Sequence, residues 1–197
     1  MILRYLTALA LLVAAPAFAQ KPAKALFATS DVVRLSIKAP IGSAGLPRNL
    51  ANTPVRAPLT VGAEQLPITL EERGLTRRRP DICPFAPLRI RFTQPPPPAS
   101  LFSGQKALKL VTHCRNADNF QQFVLLEYAA YRMFNRLTPA SFRVRLALID
   151  YLADNGRPVA SRYGFFIEDI DDVARRNGLK EAKVGDPIVV SQLSLEH

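Results

Sequence analysis

Apolar and polar residues alternate with a period of two along much of the chain, which predicts an antiparallel sheet. In LRIRF the alternation places Arg89 and Arg91 on one face and the apolar side chains on the other. Residues 40–58 are rich in Gly, Pro and Asn, so a long loop is expected there. Asn155-Gly156 predicts a hairpin turn between the last two strands. The predicted strands are DVVRLSIKAP, LPITLEERG, LRIRF, KALKLVTHC, SFRVRLALIDYL and RYGFFIED.

One long segment, DNFQQFVLLEYAAYRMFNRLTP, has helical spacing instead. Asp118 is the expected N-cap with Gln121 three residues later, and the helix should end before Pro139. A short second helix, DDVARRNG, should end at Gly178. These elements predict an α+β fold in which an antiparallel sheet carries one long helix on a face. The expected apolar stripe of the long helix is Phe120, Phe123, Val124, Tyr131 and Phe134, although most of its other positions are apolar too.

Glu127 falls within that apolar stripe. An unpaired buried carboxylate is costly, so the side chain should contact a cation on the strands that the helix covers. The candidates are Arg89, Arg91 and Lys109. The alternative is that Glu127 lies at the edge of the stripe and faces water.

The first nineteen residues have the features of a secretory signal peptide. Arg4 precedes the apolar stretch LTALALLVAAPAF, which is too short for a bilayer span, and AFA before Gln20 is typical of a cleavage site. We therefore expect export to the periplasm or the extracellular space; an uncleaved membrane anchor is the alternative. No later apolar run approaches membrane length. The expected organisation is a strand and loop region over 20–65, an α+β domain over 66–178 and a tail over 179–197.

The charge of the chain bears on its partners, and its cysteine content bears on disulfide and metal sites. A formal net charge of +10 favours phosphate groups, anionic lipid heads or acidic polymers. Nucleic acid is not expected, because of the exported location and because exposed aromatics are not interleaved with the cations. The two cysteines, Cys83 and Cys114, are expected to form a disulfide in an oxidising compartment. His113 beside Cys114 is too little for a zinc site, which needs four ligands.

Two charged segments are candidate sites. In ERGLTRRR, Gly74 is followed by three arginines, so backbone N–H groups and guanidinium groups within one turn would suit phosphate oxygens. The alternative is a solvated basic loop. Four acids lie between Glu168 and Asp172. These acids are favourable at the start of a helix, where negative charge interacts well with the helix dipole. The alternative is a metal site, although the glycine and the distal glutamate of a calcium loop are missing.

Five segments in this order resemble the amino-terminal half of the CotH-type, protein-kinase-like family of spore-coat kinases and their secreted bacterial relatives. They are RGLTRRRPDICPFAPLRIRF, KALKLVTHC, VLLEYAAYRMFNRL, SFRVRLALIDY and YGFFIEDID, covering about residues 66–172. The resemblance implies a kinase-like small lobe that binds ATP with magnesium. Residues that the resemblance places at the nucleotide are Arg73, Gly74, Arg77, Arg91, Lys109, Glu127 and Glu168.

The chain departs from the family pattern in two places. Arg89 and Arg91 stand where the family has lysines, which leaves Lys109 as the alternative nucleotide-facing cation, and Leu75 stands where asparagine is frequent. In the family, the last strand of the small lobe leads into a hinge, and the catalytic residues lie on a second lobe beyond that hinge. No catalytic residue is therefore assigned in this chain. We thus expect the ATP-binding half of an exported kinase with an unknown protein substrate, either a fragment or a truncated relative. The alternatives are a non-enzymatic envelope module that binds anionic ligands, and a structural domain without a ligand.

Overall fold

The computed structural model describes residues 23–47 and 53–181. The predicted signal peptide and most of the predicted tail lie outside the described residues. Two α-helices are present, α1 (Gln121–Leu137) and α2 (Ile170–Arg176). Short 3₁₀ turns occupy Ala25–Phe27, Thr76–Arg78 and Asp118–Phe120. The strands are β1 (Val33–Lys38), β2 (Val55–Val61), β3 (Glu64–Glu72), β4 (Leu88–Phe92), β5 (Ala107–Val111), β6 (Val144–Leu152) and β7 (Pro158–Ile167).

These strands form a closed barrel, so the predicted kinase-like α+β fold is wrong. Neighbours follow the order β1-β2-β3-β4-β5-β7-β6, and β6 returns to β1. The closing pair is parallel, running from Val33 opposite Ala147 to Lys38 opposite Leu152, whereas the other pairs are antiparallel. Alternation with period two is the same in an open sheet and in a barrel. Closure depends on a pairing between strands more than a hundred residues apart, which the pattern does not contain.

Strand β2 was not predicted, and its first half, over 55–58, falls within the predicted loop over 40–58. Pro58 lies in its middle and faces Pro67 of β3, so neither residue offers an N–H to a neighbouring strand. The β1–β2 pairing covers only Ile37 opposite Leu59 and Ser36 opposite Thr60, and it stops before Pro58. The proline is therefore tolerated because no β1 partner requires its missing N–H.

The barrel interior is a single apolar core. Alternate residues of each strand point inward, as predicted for LRIRF, in which Leu88 and Ile90 are buried while the two arginines face outward. Tyr151, Phe85, Phe102 and Phe166 are the largest fully buried side chains of this core. At Gly164 a Cβ would lie 2.6 Å from the carbonyl oxygen of Val111, so only glycine permits this close approach of β7 to β5.

Helix α1 packs on the outside of the barrel, over β7 and β6. It covers a second, smaller cluster made of Val111, Val124, Val144, Phe165 and Ile167. The predicted apolar stripe is only partly correct: Val124 is buried, but Phe123 and Phe134 are each 55% exposed. Asp118 is not a side-chain cap either, because it lies in the preceding 3₁₀ turn and pairs with Arg162 at 2.9 Å.

Two predictions, the disulfide and the turn between the last two strands, are confirmed. Cys83 and Cys114 form a disulfide, which links the segment before β4 to the end of β5. Gly156, with φ of +81°, makes the turn between β6 and β7, where Gly156 N–H donates to the carbonyl of Ala153. Within the described part of the chain, neither helix has the length and hydrophobicity that crossing a membrane requires.

Candidate functional site: a basic face on the barrel exterior

Five cations share one area of the barrel exterior, beside helix α1. Arg89 and Arg91 project from β4, and Lys109 lies opposite Arg89 on β5. Arg73 and Arg77 come from the loop between β3 and β4, and Arg73 interacts electrostatically with both Arg77 and Arg89. We call these five residues the basic face. They meet because outward positions of adjacent strands lie side by side about 4.8 Å apart.

Two carboxylates are set among these cations. Glu71 of β3 accepts a hydrogen bond from Arg91 Nε at 3.2 Å and lies 3.6 Å from Arg89 Nη1. Glu127 accepts a bidentate pair from Arg77, with Nη1 at 3.1 Å and Nη2 at 3.2 Å. Two negative charges against five positive charges leave an excess of three positive charges. The face therefore attracts anions although its acids are paired.

Crowding of positive charge is greatest at Arg73. Burial lowers the pKa of Arg73, and repulsion from Arg89 and Arg77 lowers it further. Arginine nevertheless stays protonated in proteins, so these neighbouring guanidinium groups repel one another. A bound anion would reduce that repulsion. Tyr131 of α1 adjoins this group, and burial together with the charge of Glu127 raises the pKa of its hydroxyl. The neutral hydroxyl is thus an additional hydrogen-bond donor at the edge of the face.

The loop that carries Arg77 is fixed at several points. Gly74 adopts φ of +95° where the chain leaves β3, and the 3₁₀ turn Thr76–Arg78 follows. Further along, the disulfide joins Cys83 to Cys114, and Phe85 N–H donates to the Cys114 carbonyl at 2.9 Å. Anchoring of this kind holds the guanidinium groups in place before a ligand arrives, which reduces the entropy cost of binding.

The structure brings together most of the residues that the resemblance assigned to a nucleotide. Arg73, Arg77, Arg91, Lys109 and Glu127 all belong to the basic face or adjoin it, and Gly74 lies in the same loop. The partner of Glu127 is Arg77 in the loop, not one of the three strand cations that we expected. Lys109 Nζ lies 5.7 Å from the ring centroid of Phe142, so it leans toward the cluster beneath α1.

Glu168 is not part of this surface. It is 3% exposed, and both of its carboxylate oxygens accept hydrogen bonds from Arg176 of α2. A further bond comes from the backbone N–H of Arg143 at 3.0 Å. Burial and saturation of this kind are typical of a structural ion pair rather than of a ligand contact.

The carboxylates do not suit magnesium. Mg²⁺ takes one or two carboxylates together with phosphate oxygens and waters. Glu127 is occupied by Arg77 and Glu168 by Arg176, and Asp172 of the acidic segment pairs with Lys24 and Arg175. Among residues 23–47 and 53–181, no group of three or more His, Cys, Asp or Glu side chains is arranged to hold a metal ion.

Sequence reasoning missed one member of this arrangement, Glu71. The signal that would have found it is the strand register, in which Glu71, Arg89 and Lys109 lie opposite one another on β3, β4 and β5. A second concentration of arginine lines a cavity of about 400 Å³ at the C-terminal end of α1. There Arg176 is neutralised by Glu168, and Arg132 donates to Ser30 and Tyr128.

No protein-family model matches the chain, and no match was found among curated proteins. The resemblance to the CotH-type kinases therefore remains a prediction from the five segments.

Proposed function

We propose that this chain is a non-enzymatic module of an exported protein that binds an anionic, phosphate-bearing polymer on its basic face. The observation that carries the proposal is the excess of three positive charges on one continuous surface formed by β3, β4, β5 and the anchored loop. The disulfide and the apparent signal peptide are compatible with an exported location.

The arrangement of the cations favours a polymer over a compact ligand. Three of them project outward from neighbouring strands and two from the adjoining loop, so successive phosphates along a chain would each contact a different side chain. Four of the five cations are arginines, whose planar fork donates two parallel hydrogen bonds to a phosphate. Such binding depends on charge and spacing rather than on base or sugar recognition. It should therefore be strongly salt-dependent.

A kinase-like mechanism loses its support with the change of fold. The family's nucleotide site lies beneath a small lobe and against a hinge, whereas this sheet closes on itself. The same cations still attract phosphate, so ATP serves as a competitor in the experiment below. A single nucleotide reaches fewer cations than a polymer does, and it should compete weakly.

Titration of fluorescently labelled inorganic polyphosphate into the disulfide-bonded protein, over a series of salt concentrations, tests the proposal. Arg77→Ala with Arg91→Ala removes two well-exposed members of the basic face. We expect this double variant to bind about tenfold more weakly and to lower the slope of log Kd against log salt by about two. The matched control is Arg34→Ala with Arg157→Ala, which removes the same charge from β1 and from the β6–β7 turn, across the barrel.

Glu127→Gln provides a change in the opposite direction. It removes one carboxylate and releases the Arg77 guanidinium, so polyphosphate should bind about two- to fivefold more tightly with a steeper salt slope. Salt-insensitive binding, or equal losses in the face and control double variants, would overturn the proposal. Binding to phosphatidylglycerol vesicles without binding to polyphosphate would also overturn it and would indicate a membrane surface as the partner.

A further inference from the structure

Helix α1 exposes its most apolar side to solvent. Towards the barrel it presents Val124, Tyr128, Tyr131 and Asn135, of which only Val124 is fully buried. The opposite side carries the residues that we call the outer stripe: Phe123, Leu126, Ala130, Met133 and Leu137. The four large members are 55% to 78% exposed, and Phe134 beside them is 55% exposed. A surface helix normally shows the reverse arrangement.

The outer stripe has the spacing of a helix-pairing seam. Its residues follow one another at intervals of three, four, three and four, which is the a/d repeat of a coiled coil. A helix that merely lies on a membrane or beneath a loop does not require this repeat. Ala130 is at the centre of the stripe, and a small residue there allows the axes of two helices to approach closely.

The exposed area matches what a modest dimer needs. At roughly 175 Å² for each large side chain, the five exposed ones leave about 550 Å² of apolar surface uncovered. Two copies packed on this surface would bury at most about 1,100 Å², close to the lower limit of specific interfaces. A contiguous patch of this size is at the upper end of what a monomer exposes.

We propose that the outer stripe of α1 is a self-association surface, on which α1 of a second copy packs antiparallel about a two-fold axis near Ala130. Such an axis places Phe123 of each copy against Leu137 of the other. The stripe itself contains no charged residue, so no like charges meet within the contact.

The charges beside the stripe determine whether the two α1 helices pair parallel or antiparallel. Arg132 and Arg136 both lie in the C-terminal half of α1, and Arg136 flanks the stripe. A parallel pair would bring the two Arg136 side chains together, whereas an antiparallel pair moves them to opposite ends. Antiparallel packing also opposes the two helix dipoles favourably. The interface is thus the isologous type that closes a dimer.

Sedimentation of the intact protein over a concentration series tests this proposal. We expect a monomer–dimer equilibrium in the micromolar range for the unmodified chain. Leu126→Glu with Met133→Glu should leave a monomer at every concentration, with unchanged circular dichroism because both side chains are exposed. Val32→Glu with Leu179→Glu is the matched control, since it replaces two other exposed apolar residues by the same charges. This control should still dimerise.

Cross-linking tests the direction of packing separately. Under mild oxidation, a mixture of Phe123→Cys and Leu137→Cys proteins should form a mixed disulfide dimer, while neither protein alone should do so efficiently. Efficient dimers from each protein alone would overturn the antiparallel arrangement.

Three sedimentation results would overturn self-association through the outer stripe. They are a monomer at all concentrations, a dimer that survives the two glutamates, and a monomer that dimerises only when residues 182–197 are deleted. The last result would show that the chain's own C-terminal segment covers the stripe. None of these measurements depends on polyphosphate, so the two proposals can fail independently.

Discussion

The buried pair of Arg176 and Glu168 yields the sharpest test of the fold. Arg176 is 6% exposed and Glu168 is 3% exposed. Arg176 Nε lies 3.1 and 3.3 Å from the two carboxylate oxygens, and Nη2 lies 3.1 Å from Oε2. Its remaining N–H groups donate to the carbonyls of Pro139 and Ser141. One side chain therefore joins α2 to the end of β7 and to the segment before β6.

Replacing Arg176 by methionine keeps much of the volume but leaves the Glu168 carboxylate buried with one remaining donor, the N–H of Arg143. Breaking a buried pair in this way typically costs about 3–5 kcal/mol of unfolding free energy. Changing Glu168 to leucine in the same protein removes the stranded charge. The double variant should therefore be more stable than Arg176→Met alone by about 2 kcal/mol.

Urea denaturation followed by circular dichroism measures both differences. The control is Arg79→Met, whose partner Asp81 lies 2.7 Å away in a pair that is more than 60% exposed on both sides. That substitution should leave the urea midpoint essentially unchanged. If Arg176→Met were as mild as the control, or if the double variant were no more stable than Arg176→Met alone, the buried pair would not exist.

Three further changes test the core and the disulfide. Replacing Cys83 and Cys114 by alanine should lower the free energy of unfolding in urea by about 3–4 kcal/mol, because the bridge closes a loop with a sequence separation of 31; an unchanged midpoint would refute this. Gly164→Ala should cost about 2–3 kcal/mol in the same assay, because its Cβ would meet the Val111 carbonyl at 2.6 Å, and a neutral effect would contradict the close approach of β5 and β7. Burial, and secondarily Arg162, lower the pKa of His113 from 6.5 to about 4, so the unfolded chain binds the extra proton and stability should fall as pH drops from 6.5 toward 4. His113→Leu should remove that part of the pH dependence, and an unaltered pH profile would show that His113 does not cause it.

Local features were predictable from the sequence because their causes are local. Alternation located six of the strands, and Asn155-Gly156 located the hairpin. The cysteine pairing followed from the expected oxidising compartment, and the antiparallel register of β4 with β5 brings the two residues together. The closure of the barrel was not predictable, since it depends on the β1–β6 pairing and on a strand, β2, that contains Pro58.

The site was predictable only in part. The residues assigned by resemblance came together even though the fold that motivated the assignment is wrong. Their common cause is simpler than a nucleotide site: outward positions on β4 and β5, and an arginine-rich loop beside them, must share one surface. Glu127 did find a cation, but that cation lies 50 residues away along the chain in the loop. Helical periodicity cannot identify such a partner.

The orientation of α1 follows from its polar contacts rather than from its apolar residues. If burial of apolar area alone fixed the helix, it would turn the outer stripe toward β6 and β7. Instead, Glu127 holds Arg77, Asn135 donates to the Phe142 carbonyl at 2.7 Å, and Gln121 accepts from Tyr163 N–H at 2.7 Å. All three contacts lie away from the outer stripe, and rotation of the helix would break them. Hydrogen bonds and one ion pair, together with the cluster around Val124, therefore fix the rotation of the helix, and this leaves the outer stripe available for a second copy.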